Sequence, residues 1–225
     1  MINKRIFEID FLKVTAIILM IIFHFIYDLN EFVGLDINYQ SGFWYWLGRV
    51  AAVLFIFLAG INSGFSKKPI KHGMIVFSCG IIITLVSLIM FKEEFVRFGV
   101  LHFLGISMML FPLLKRLNNW ILIIFALVTG ILFSFDTFIY NTNIIIFLEN
   151  IFGRPSMDYY PLFPYLSLFI LGILVYKNFY YKKKSIFNLY TKSKTILIIS
   201  KYSLLIYLIH QPIIFGIIFI IKYLV

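Results

Sequence analysis

The sequence predicts an all-α, polytopic membrane helix bundle of about seven spans, with residues 1–225 forming one domain. Three observations lead there. Of the 225 residues 62% are hydrophobic and only 13% charged, whereas soluble domains carry about a quarter charged residues and need them to coat their surface. The apolar residues fall into blocks of about 19–24, each long enough to cross about 30 Å of hydrocarbon as a helix. Alternating stretches of about ten residues, the mark of a transmembrane barrel, are not seen.

The blocks lie near 11–30, 43–65, 73–91, 97–115, 119–138, 161–179 and 200–223. The basic start, Lys4 and Arg5, resembles that of a signal peptide. Glu8, Asp10 and Lys13 follow it, and no small-residue cleavage site appears, so the first block reads as a retained helix. The loops orient the bundle. Of 20 Lys and Arg, 15 fall on one side: Lys4, Arg5 and Lys13; Lys67, Lys68 and Lys71; Lys115 and Arg116; and seven lysines at 177–201. The opposite loops hold Glu31, Asp36, Glu93, Glu94, Glu149 and Asp158. This alternation predicts a cytoplasmic N-terminus and an outside C-terminus. It also accounts for the net charge of +10 without a nucleic-acid partner. The basic segment near 180–199 faces an anionic leaflet, so membrane lipids are its expected partners. The longest outer loop, roughly 139–160, holds Asn141, Asn143, Glu149, Asn150, Arg154 and Asp158 and ends at Tyr159, Tyr160 and Pro161. Cys79, the single cysteine, lies inside an apolar block, which rules out a disulfide framework or a cysteine metal site.

Ionisable side chains inside spans cost about 2.5–3.5 kcal/mol each on insertion scales, so each needs a reason. The first helix carries His24 and Asp28, one turn apart on one face. The second carries Arg49, the fourth His102, and the seventh His210 with Gln211. At 1.5 Å per residue, His24, Arg49 and His102 lie about 7–9 Å in from the outer ends of their helices. A shared level is what an outward-facing cavity needs. His24 oriented by Asp28 has the form of a general base, with Arg49 or His102 stabilising developing charge. The bland alternatives are a structural His24–Asp28 pair, an Arg49 that snorkels to headgroups, and histidines that only bond a neighbouring helix. No metal is expected, because no closely spaced ligand set such as HExxH is present. Pro212 kinks the last helix beside His210 and Gln211. Gly60, Asn62, Ser63 and Gly64 form a small-residue patch fitted to close helix packing.

Four segments then carry a resemblance. They are Glu8-Ile9-Asp10-Phe11-Leu12-Lys13 leading to His24-Phe25 and Asp28; Arg97-Phe98-Gly99-Val100-Leu101-His102-Phe103-Leu104-Gly105; Tyr159-Tyr160-Pro161-Leu162-Phe163-Pro164-Tyr165 with Leu171-Gly172; and Lys201-Tyr202-Ser203 through His210-Gln211-Pro212. In this order they resemble the heparan-α-glucosaminide N-acetyltransferase catalytic-domain family of transmembrane acyltransferases. Where that family has Asp-x-x-Arg-Gly, this chain has Asp10, Lys13 and Val14. The resemblance implies transfer of an acyl group, chiefly acetyl, from cytoplasmic acetyl-CoA or another acyl-CoA to an extracytoplasmic acceptor such as an amino sugar or glycan. It also implies a central histidine, carried here onto His24. Lys13, Lys67, Lys68 and Lys71 are candidates for the CoA phosphates, with Asp10, His210 and Gln211 grouped in the cofactor-binding set. A homodimer and residence in a prokaryotic plasma membrane complete the expectation. The competing class is a transporter or flippase whose path the same polar groups would line.

Overall fold

In a computed structural model the described residues are 5–92, 95–134, 158–187 and 193–224. Glu93, Glu94, Lys4, Lys192, the end of the fifth block and the 139–160 loop up to 157 lie outside them. The architecture is all-helical, with no strand among the described residues.

The helices are α1 (Phe7–Asp28), α2 (Gly42–Phe65), α3 (Pro69–Phe91), α4 (Val100–Arg116), α5 (Asn119–Ser134), α6 (Leu162–Val175), α7 (Lys194–Lys201) and α8 (Ser203–Leu224). One wider, π-type turn extends α1 over Leu29–Val33, and another extends α6 over Tyr176–Tyr180. With those extensions, five helical stretches are long and apolar enough to cross a bilayer: Phe7–Val33, Gly42–Phe65, Pro69–Phe91, Leu162–Tyr180 and Ser203–Tyr223. At the other two predicted blocks stand α4, of 17 residues, and α5, of 16. The helix starts follow local rules. Pro69 opens α3, where its missing N–H and preset φ cost nothing. Ser193 caps α7, its Oγ accepting from the Ile196 N–H. Past α1 the chain turns at Gly34, whose φ of +83° favours glycine, and the Asn30 amide donates to the carbonyls of Leu35 and Ile37.

The chain packs as two units, Met1–Phe55 with Lys182–Val225, and Ile56–Tyr181. In the first, α1 lies against α7 and α8. Arg5 Nη1 donates to the Leu197 carbonyl at 3.1 Å and Ser200 Oγ donates to Asp10, so the start of α1 meets the segment leading into α8. At the far end Phe32 packs edge-on against Phe215, with ring centres 5.2 Å apart. These two contacts make α1 and α8 parallel. Glu8 is buried, its carboxylate accepting from Ser185 Oγ and the Ile186 N–H, both at 2.8 Å. The acidic residues opening α1 therefore hold the segment that precedes the last helices.

The second unit is built on close backbone approach. Gly60 of α2 and Gly172 of α6 face each other, and a Cβ on either would collide with the carbonyl of Phe169 or Phe57. Gly64 packs on the Tyr176 ring, so the small-residue patch is a helix-packing surface, as its composition predicts. Across α3 and α4, a Cβ on Gly105 would stand 2.6 Å from Phe77 and one on Gly73 2.7 Å from the Gly105 carbonyl.

Candidate functional site

The first unit brings four sequence-predicted residues together where α1 meets α8. Asp28 is wholly buried, and the Gln211 amide donates to both its oxygens, at 2.8 and 3.1 Å. One α-helical turn back on α1, the half-buried His24 ring lies 4.9 Å from the buried His210 ring, centre to centre. The sequence spacing paired Asp28 with His24; in the fold Asp28 is held by Gln211 and His24 stands beside His210. Helical spacing puts i and i+4 on one face, but it does not decide which helix supplies the hydrogen bond.

His210 has a defined bonding state. Its Nδ1 lies 2.5 Å from the Tyr207 carbonyl oxygen, one turn back on α8. A carbonyl only accepts, so Nδ1 carries the proton and the neutral ring leaves Nε2 as a bare lone pair. His210 Nε2 and Gln211 Oε1 are both buried and without a partner among the described residues. Both unpaired atoms are acceptors in these states. A molecule that satisfies them has to bring N–H or O–H groups. Tyr207 also packs against His210, ring centres 5.4 Å apart, and edge-on to Phe55. Pro212 follows directly and lies within α8.

Arg49, on α2 in the same unit, is half-buried and stacks its guanidinium 5.1 Å above the Tyr45 ring one turn earlier. At the other end of α1, Asp10 is buried between Ser200 and Arg5, whose Nη1 is 3.5 Å away, while its Oδ2 has no partner among the described residues. Lys13 is half-buried one turn on. Lysine selection from charge alone could not see that Asp10 is already engaged by Ser200 and Arg5.

His102 belongs to the second unit, where both its nitrogens are occupied. The Gly99 N–H donates to Nδ1 at 3.2 Å, closing the first turn of α4, so Nε2 carries the proton and faces Thr84 Oγ1 at 3.5 Å. The Thr84 hydroxyl in turn donates to the Val96 carbonyl at 2.7 Å. Phe98 and Phe77 pack on the ring. The role expected of His102 in charge stabilisation therefore meets a ring already committed to capping a helix. Asp158 serves the same terminus, its Oδ2 accepting from the Val100 N–H at 3.4 Å. Burial pushes its carboxyl up to about 7, against the pull of that hydrogen bond. Sequence reading marked Asp158 only as an outer-loop charge. Lys67, Lys68 and Lys71 are exposed around the start of α3. Beside them the exposed His72, which the sequence reading did not single out, shares a 2.9 Å hydrogen bond with Ser66 Oγ. Among the described residues no three His, Cys, Asp or Glu side chains gather as metal ligands would.

Apolar helices of spanning length, with buried ionisable side chains between them, define an integral membrane protein with a polar intramembrane cluster. The model for the family described as "Heparan-alpha-glucosaminide N-acetyltransferase, catalytic" matches residues 5–212, and the chain belongs to that family of membrane acetyltransferases. No curated protein and no solved structure matches the chain.

Proposed function

We propose that this protein is a seven-span acetyltransferase of a prokaryotic plasma membrane, N-terminus inside and C-terminus outside. It moves an acetyl group from cytoplasmic acetyl-CoA to a hydroxyl or amine of an extracytoplasmic sugar or glycan. The observation that carries the reading is the His24, His210, Asp28 and Gln211 cluster between the parallel α1 and α8, in a chain of an acetyltransferase family. In this reading His24 is the reacting histidine, because it is the half-buried member of the pair. It takes the proton of the acceptor X–H while X attacks the thioester carbonyl. The C–X bond forms, the C–S bond breaks, and the proton passes to the departing thiolate. Asp28, held by Gln211, leaves a second acceptor, Gln211 Oε1, to position the incoming donor group. A pantetheine arm reaches this level from the inner face, where Lys13, on α1 itself, offers charge to the CoA phosphates.

The test is release of free thiol from acetyl-CoA by the purified protein with a panel of amino sugars and glycans, beside mass detection of the acetylated acceptor. His24→Ala is expected to lower transfer about 10²–10⁴-fold, the usual range for losing a positioned proton-transfer group. Full transfer by that variant would remove His24 from the chemistry. Absence of any acceptor-dependent transfer by the unaltered protein would refute the acetyltransferase reading.

A further inference from the structure

Resting on that reading, we propose that His210 is the positioning residue of the reaction: its bare Nε2 receives the N–H of His24, fixes which His24 nitrogen is free to take a proton, and supports the charge that ring gains. Three observations point this way. The Tyr207 carbonyl holds the proton on Nδ1, so Nε2 can only accept. Nε2 is buried with no partner among the described residues, which leaves a buried lone pair without a donor. The third is distance. The rings stand 4.9 Å apart, centre to centre, with planes tilted by 57°, close enough for a turn of the His24 side chain to bring its N–H onto Nε2.

The arrangement has the logic of a catalytic triad with imidazole in place of carboxylate: a buried acceptor, itself held by the backbone, orients the histidine that meets substrate. His24 takes the acceptor's proton on the nitrogen turned away from His210 and keeps its other N–H on His210 Nε2. The proton then leaves with the thiolate, and His210 ends as it began. The surroundings help. His210 also lies on the wall of a groove of about 370 Å³ whose other lining residues are isoleucines and Phe25, so this flank is dry and the bond is not exchanged for water.

Two substitutions separate this role from a structural one. In His210→Gln the amide oxygen can stand where Nε2 stands and accept from His24, but nothing donates to the Tyr207 carbonyl. In His210→Asn the amide nitrogen can stand where Nδ1 stands and keep the Tyr207 bond, but no acceptor reaches His24. Positioning through Nε2 predicts that H210N lowers kcat about 10²-fold or more with KM for acetyl-CoA within about twofold, whereas H210Q stays within about tenfold of the unaltered protein. The reverse order would overturn the inference. Independently of how the variants fold, ¹⁵N spectra of histidine-labelled unaltered protein should show His210 protonated at Nδ1 and bare at Nε2, and the opposite tautomer would overturn it as well. If the unaltered protein transfers no acetyl group, the acetyltransferase reading fails and takes this inference with it. If it transfers normally and H210N matches H210Q, only the inference fails.

Discussion

Removal of the Gln211 amide strands Asp28, and the structure sets the expected size of the effect. Asp28 has no exposed surface, and its two donor contacts, 2.8 and 3.1 Å, both come from Gln211. Hydrogen bonds between membrane helices average about 0.6 kcal/mol with a maximum near 1.7, because alternative partners exist in the membrane-inserted reference state. A contact that spans both oxygens of a fully buried carboxyl belongs at the upper end of that range. Gln211→Ala adds the penalty for a desolvated acceptor without a donor, about 1–3 kcal/mol. The expected loss is therefore about 2–4 kcal/mol, or roughly 5–15 °C for a chain of this length. Asp28→Ala removes the stranded group itself, so Asp28→Ala with Gln211→Ala should be no worse than Gln211→Ala alone. Thermal unfolding in detergent of the four proteins of this double-mutant cycle gives the coupling directly, with an expected value of about 1–2 kcal/mol. Strict additivity of the two single losses would refute the pairing of α1 with α8 through these side chains.

Two further predictions concern the second unit. Gly172→Ala places a methyl against the Phe57 carbonyl of a backbone that cannot step aside, and overpacking of this kind costs about 1–3 kcal/mol; an unchanged melting temperature would show that α2 and α6 do not approach as closely as described. Asp158 gives a pH dependence whose sign follows from its raised carboxyl. Folded protein keeps the proton up to about 7 while unfolded chain releases it near 3.8, so the neutral form's contribution is whole below about 4 and is lost as pH rises from about 4 to 7. Measured between pH 5 and 8, the unaltered protein should lose stability relative to Asp158→Asn, and parallel curves for the two would refute the burial of that carboxyl.

Much of the helical pattern was legible because hydrocarbon imposes a length and a composition on any segment that crosses it. The block near 43–65 becomes α2, Gly42–Phe65, and that near 161–179 becomes α6 with its π-type extension to Tyr180. The block near 97–115 is the instructive case. Its first residues, Arg97 and Phe98, stand outside the helix, because the α4 terminus is set by Gly99, His102 and Asp158 rather than by hydropathy. A three-residue spacing such as Gly99 to His102 is visible in sequence, but without knowledge that a helix starts there it reads as a buried histidine in search of a function.

The histidines show why site residues were easier to find than to assign. Burial in an apolar block singled out His24, His102 and His210 alike, since the cost of an intramembrane imidazole does not depend on what offsets it. What separates them is the partner of each ring nitrogen. His102 spends both on its own helix terminus and Thr84. His210 spends one on Tyr207, a local i−3 contact that hydropathy does not encode, and keeps the other bare. His24 is the half-buried ring that packs against His210. An imidazole with both nitrogens bound cannot accept a proton without breaking a bond, whereas one that gives a single N–H to a neighbouring acceptor can take the proton on its other nitrogen and keep that bond. On the proposed reading, that difference gives the proton transfer to the α1–α8 pair, and the Asp28–Gln211 contact ties those two helices together.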